Sequence, residues 1–188
     1  MALTQLDPNT ALIIVDLQKG IVGASLLHPI GEVIARATAL AERFRELGLP
    51  VVLVNVAGTA PGRTERPPRH TTPFPADWTD LIPELNRQPN DIVVTKRTWG
   101  AFASTDLEAR LKARDVTQVV VAGVATGTGV ESTARQAYEH GFNVTLAVDA
   151  MTDPRPDAHQ YSITNVFPRL GETGTSADII RLLDTRKP

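Results

Sequence analysis

Five short apolar runs recur along the chain: Ala11–Val15, Val51–Val54, Ile92–Thr95, Val119–Ala122 and Phe142–Val148. They are rich in β-branched residues and nearly all apolar throughout, without a polar residue at every second place. That pattern marks strands buried on both faces, as in a parallel sheet. Between them lie helical stripes. Val33, Ala37, Leu40, Ala41, Phe44 and Leu47 form one, closed by Gly48 and Pro50, a standard stop signal. Thr105 and Glu108 read as a capping box opening a helix to about Arg114, and Val130, Ala134, Ala137 and Tyr138 mark another that ends at Gly141. The fifth strand stops at Asp149, and a helix over Pro156–Val166, a short strand near Leu170–Thr173 and a last helix, Ser176–Leu183, follow. Strands alternating with helices predict an α/β fold, a three-layer α/β/α sandwich around a parallel sheet with right-handed crossovers. The segment Ala57–Pro75, rich in Pro, Gly, Arg and Thr, reads as a long surface loop, and Leu81–Leu85 as one or two helical turns.

In open parallel sheets, ligands sit beyond the carboxyl ends of the strands. Asp16, Lys96 and the glycine-rich turn Gly123–Gly129 each fall at such an end. Singly these are weak signals, since an Asp after a strand is usually a cap and a Lys usually solvated. Brought to one edge, the lysine can hold the carboxyl ionised, or burial against that charge can set its proton affinity. Thr128 and Glu131 read as a T-x-x-E capping box that starts a helix near Gly129. The first amides of that helix would face out over the strand end, where they can hold a carbonyl oxygen, carboxylate or phosphate; the alternative is an ordinary strand–helix turn.

The length of 188 residues suits one domain, residues 1–188. A net charge of −2 without a basic cluster argues against a nucleic-acid partner. No apolar run approaches the ~20 residues of a membrane span, and the first residues lack the charged region and cleavage site of a signal peptide, so no membrane partner and a cytoplasmic location are expected. There is no cysteine, which excludes disulfides, thiolate metal sites and a cysteine nucleophile. His28, His70, His140 and His159 show no metal-ligand spacing.

Three segments carry a family resemblance: ALIIVDLQKG, TKRTWGAF and GVATGTGVESTARQAYEHGFNVTLAVDAMTD. They resemble the isochorismatase-like hydrolases, a superfamily that includes nicotinamidases, N-carbamoyl amidohydrolases and isochorismatases, and the resemblance covers nearly the whole chain. It implies a six-stranded parallel sheet, Asp16 and Lys96 as catalytic partners, and a cis peptide at Val124–Ala125. It further implies a homodimer or higher homo-oligomer acting on a small molecule without a cofactor. Most members carry a cysteine nucleophile at the position matched by Gly129, so the thioester route to amide hydrolysis is closed here. Isochorismatases similarly tend to lack that cysteine, and they cleave a vinyl ether, which needs an acid rather than a nucleophile. By that resemblance Asp16 is the general acid, Lys96 orients it or the substrate, and Gly129 leaves room where a thiol would stand. The metal-binding D-x-H-x-x-x-H pattern of nicotinamidases has no counterpart.

The remaining candidates are Gln18, Trp99, Phe102, Val124, Ala125 and Thr128 as substrate contacts. Trp99 and Phe102 could equally pack in the core. Thr126 and Thr128 could replace the missing nucleophile, with a helix cap the blander role for Thr128, and Ser132 reads as structural. Arg63, Arg66 and Arg69 could meet an anionic substrate or stay solvated, and His70 reads as exposed. Two rival functions stand beside vinyl-ether cleavage: an amidohydrolase with a non-cysteine mechanism, and a catalytically degenerate family member that binds a small ligand.

Overall fold

A computed structural model describes residues 3–65 and 74–185; Arg66, Arg69 and His70 lie outside that range. The described elements are β1 (Thr10–Val15), α1 (Lys19–Val22), α2 (Ile30–Glu46), β2 (Val51–Val56), a 3₁₀ turn (Pro83–Leu85), β3 (Ile92–Lys96), α3 (Leu107–Lys112), β4 (Gln118–Val124), α4 (Glu131–Glu139), β5 (Asn143–Thr152), α5 (Pro156–Tyr161), α6 (Phe167–Leu170), β6 (Glu172–Gly174) and α7 (Ser176–Asp184). The strands form one six-stranded sheet in the order β3-β2-β1-β4-β5-β6, with every pair parallel. The order reverses at β1, so the carboxyl ends of β1 and β4 flank the switch point where such sheets bind ligands.

Side-chain alternation divides the core between the two faces of the sheet. Ala11, Ile13 and Val15 of β1 point to the face covered by Leu107 and Leu111 of α3, Ala134 and Ala137 of α4, and Phe167 of α6. Leu12 and Ile14 point to the other face, under Ala37, Leu40, Ala41 and Phe44 of α2 and Ile179 and Leu183 of α7. This is the expected α/β/α sandwich. Leu47 departs from the predicted α2 stripe: the helix ends at Glu46, and Leu47 is 38% exposed.

Three local expectations change. Asp149 does not end β5, which continues to Thr152; a bulge between Leu146 and Met151 restores pairing, with Gly123 opposite Met151. The Asp149 carboxylate instead accepts the Ser176 amide (2.6 Å) and hydroxyl (2.7 Å) at the start of α7. No side chain caps α4, and residues 126–130 form a single π-turn closed by the Glu131 amide on the Thr126 carbonyl. The Thr128–Glu131 box is therefore not made, because Glu131 is drawn to the Ser162 hydroxyl (2.6 Å) and Arg135 (2.9 Å). At α3, Thr105 Oγ1 accepts the Leu107 amide (3.2 Å), while Glu108 pairs with Lys112 and His140 and completes no box.

Candidate active site

At the carboxyl end of β1, Asp16 takes up a left-handed backbone conformation, φ +53°. Its amide donates to the Val54 carbonyl of β2 at 2.9 Å, which anchors the residue at the sheet edge. Beside it, Gly123 of β4 has φ +112°, and a Cβ there would fall on the Val15 carbonyl oxygen. Only glycine lets β4 pass this close to the residue before Asp16.

Lys96 ends β3 and is 1% exposed, and Asp16 is 6% exposed. The Lys96 ammonium donates to Asp16 Oδ2 at 2.7 Å and to the Thr98 carbonyl at 3.3 Å. Asp16 Oδ1 is buried without a hydrogen-bond partner among the described residues. Burial pushes the Asp16 carboxyl up to about 6, against the opposing charge and hydrogen bond of Lys96. Desolvation disfavours the ionised form, so a proton can be held at this site near neutral pH.

The turn after β4 forms the facing wall. It carries the cis peptide Val124–Ala125, and the Ala125 carbonyl accepts the amides of Thr128 (3.0 Å) and Val130 (3.1 Å). A Cβ built on Gly129 would stand 3.2 Å from Asp16 Oδ2, 3.2 Å from the Val124 carbonyl oxygen and 3.0 Å from Val15 Cγ1. The residue is therefore in contact with the dyad, and its surroundings have closed in on a bare Cα.

The structure brings Asp16, Lys96, Gly129, Ala125 and Thr128 to one edge, with Ala125 and Thr128 half-buried. Val124 is 3% exposed and packs into the core below that turn. Trp99, at 65% exposed, stands in the loop that follows Lys96. Two expected contacts do other work. Gln18 is fully buried, and its amide group bonds the Val56 amide (2.7 Å), the Val56 carbonyl (3.1 Å) and the Trp78 carbonyl (2.9 Å). It ties the end of β2 to the segment around Trp78 and is not presented to a ligand. Phe102 is 4% exposed and lies 6.0 Å from the Phe142 ring, a core residue rather than a pocket wall. Arg63 is exposed.

Other residues support the site without having been picked out from the sequence. Asp153 Oδ2 accepts the Gly127 amide at 2.8 Å, and His159 Nδ1 meets Thr126 Oγ1 at 2.8 Å, so the end of β5 and α5 hold the turn from behind. The His159 ring lies 4.8 Å from that of His28. Burial and the neighbouring His28 push the His159 pKa down despite Asp153. The signal available for Asp153 was its place just past a strand, but the β5 bulge hides where that strand ends. A cleft of about 380 Å³ lined by Gly127, Glu131, Arg155 and Tyr161 opens behind this turn, not over the dyad.

The fold and the sequence both match known proteins. The family model for the isochorismatase domain matches residues 10–178. Over 178 residues the chain is 37% identical to an uncharacterized isochorismatase family protein of Bacillus subtilis, covering 92% of this chain and 93% of that protein. It superposes on the solved structure of an isochorismatase family protein from Burkholderia thailandensis with a TM-score of 0.91 and 40% identity, covering 96% and 98% of the two chains. A ureidoacrylate amidohydrolase of Methylobacterium radiotolerans is 30% identical over 192 residues, covering 86% of this chain and 74% of that enzyme. The chain belongs to the isochorismatase family and is a hydrolase of that family. Among the described residues no helix is long and apolar enough to cross a membrane.

Proposed function

We propose that this hydrolase cleaves a vinyl ether on a small, anionic molecule, with Asp16 as general acid. The observation that carries the reading is the Asp16 carboxyl: raised to about 6 by burial, with one oxygen unpartnered among the described residues, in a chain that has no cysteine. Asp16 gives its proton to the vinyl methylene carbon, and the ether carbon becomes an oxocarbenium ion. Water adds to that carbon and returns a proton to Asp16. The hemiketal then collapses, breaking the carbon–oxygen bond and releasing a keto acid such as pyruvate and an alcohol. Lys96 holds the proton affinity of Asp16 down against burial and orients it, and Gly129 stands against the carboxyl without a side chain. Among the turn residues, Ala125 and Thr128 are the candidate substrate contacts, with Trp99 at the rim. General acid catalysis of this kind contributes typically ~10²–10⁴-fold.

The amidohydrolase named among the relatives favours a second reading, hydrolysis of an amide by water activated at Asp16. One screen separates the two: the purified protein against isochorismate with pyruvate detected through lactate dehydrogenase, beside a panel of amides read by ammonia release. Pyruvate formation that disappears in Asp16→Ala supports the vinyl-ether reading. Ammonia release without pyruvate replaces it with the amidase reading, and turnover of neither favours a small-ligand-binding role.

A further inference from the structure

The loop that follows Lys96 is fastened to α4 by two side chains. Thr133 is fully buried; its hydroxyl donates to the Gly129 carbonyl at 2.7 Å and accepts the Ala101 amide at 3.2 Å. One turn further along the helix, Gln136 Oε1 accepts the amides of Phe102 (2.9 Å) and Ala103 (3.3 Å). Gly100 lies flat on that same amide, where a Cβ would collide with it. Thr98 closes the loop by donating its hydroxyl to the Gly100 carbonyl at 2.9 Å, and its own carbonyl is the second acceptor of the Lys96 ammonium. A single hydroxyl thus joins the two chain segments that bear Lys96 and Gly129, which are far apart in sequence and belong to different strand–helix units.

We propose that Thr133 is a positioning residue for the reacting pair: by bridging Gly129 to Ala101, it holds the 98–103 loop down so that the Thr98 carbonyl fixes the Lys96 ammonium against Asp16. The inference rests on the reading of Asp16 and Lys96 as the reacting groups. A cation with one carboxylate partner and rotatable side-chain bonds has several positions open to it. A second, backbone acceptor reduces these to one, and the bridge is what places that acceptor. Lysine carries considerable rotamer freedom, and small misplacements of a catalytic group cost rate heavily.

The variants Thr133→Val and Thr133→Ser decide the matter. Valine keeps the volume and removes both hydrogen bonds; serine keeps both. The first readout is the titration of the Asp16 carboxyl by carbon-13 NMR, which needs no substrate. Lys96 is the charged group acting on that carboxyl. Thr133→Val frees the ammonium from its place against the carboxyl and leaves burial less opposed, so the Asp16 midpoint moves up from about 6, the direction expected for loss of the lysine itself, while Thr133→Ser titrates like the parent. The second readout is turnover of the substrate found by the pyruvate screen: kcat falls roughly tenfold or more in the valine variant with KM unchanged, and serine restores it. An Asp16 midpoint in folded Thr133→Val equal to that of the parent overturns the proposal. So does a serine variant displaced as far as the valine one. If Thr133→Val does not fold, Gln136→Met carries the same decision, because it releases the loop without touching Gly129. A displaced Asp16 titration with no pyruvate formed from any vinyl ether leaves the positioning role standing and removes only the vinyl-ether reading.

Discussion

Lys96 reaches Asp16 across the end of an intervening strand. The two residues terminate β3 and β1, both hydrogen-bonded to β2 and not to each other, yet the ammonium and carboxylate stand 2.7 Å apart. Two strand spacings amount to about 9–10 Å, which the extended lysine side chain and the outward turn at Asp16 together close. The contact lies at the sheet edge with both side chains nearly out of solvent, and its consequences for pH, charge and packing can be measured.

Asp16 should make stability fall as pH rises through the acid range. In the folded protein its carboxyl holds a proton up to about 6, whereas an unfolded aspartate releases it near 3.8. Between those values folding takes up a proton, so stability is highest below about 4, declines as pH climbs through 6 and then levels. The shift corresponds to on the order of 3 kcal/mol at about 1.4 kcal/mol per pH unit. Denaturant unfolding of the parent and Asp16→Ala between pH 4 and 8 isolates this contribution. Parallel curves for the two proteins would count against the raised carboxyl.

The rate should share that midpoint. An acid must be protonated to act, so turnover declines as pH rises past about 6. Asp16→Asn should be as inactive as Asp16→Ala, since an amide delivers no proton, with a loss of at least ~10²-fold. A rate that climbs with pH across this range points instead to Asp16 as a base, as the amidase reading requires.

Replacing Lys96 by methionine should raise the Asp16 pKa further. The lysine charge and hydrogen bond are what hold it down against burial, so their removal leaves desolvation unopposed. The descending limb of the pH–rate profile would move to higher pH. Breaking a buried pair typically costs ~3–5 kcal/mol, but Asp16 can escape part of that by taking a proton. An unchanged or lowered limb in Lys96→Met would show that the lysine does not set the proton affinity.

Gly129→Cys should be destabilising and should not create an amidase. The three neighbours of the added Cβ, at 3.0 to 3.2 Å, are closer than comfortable contact, and one is a backbone carbonyl oxygen that cannot turn aside. Overpacking of this kind costs roughly 1–3 kcal/mol, readable as a lower denaturation midpoint. Gain of ammonia release with undiminished stability would mean that the site still accommodates a thiol.

Thr128→Val tests a role that the observed turn removes. A lost helix cap costs ~1 kcal/mol, but Thr128 caps nothing, because α4 begins without a side-chain cap. The valine variant should unfold within about 0.5 kcal/mol of the parent. Retained turnover in Thr128→Val excludes a Thr128 nucleophile, and abolished turnover with a covalent acyl adduct in the parent would establish one.

By itself the sequence determined the layers, the strand–helix alternation and the chain positions at which chemistry could sit. Runs such as Ala11–Val15 and Val119–Ala122 are apolar on both faces, and only a sheet covered on both sides satisfies them. Asp16 and Lys96 were visible because each is a charge at the point where such a run stops. Tertiary structure decided what those residues touch. Gln18 and Phe102 stand beside motif residues in the chain, but a side chain's direction depends on the local turn and its partners. Gln18 therefore clamps Val56, and Phe102 lies against Phe142. The Thr128–Glu131 box fits a spacing rule, yet Glu131 finds Ser162, the residue just past α5, instead, a partner 31 residues away that no local rule contains. Asp153, His159 and Thr133 were illegible for the same reason: each acts on the active-site turn or the Lys96 loop through a contact made only when separate strand–helix units pack together.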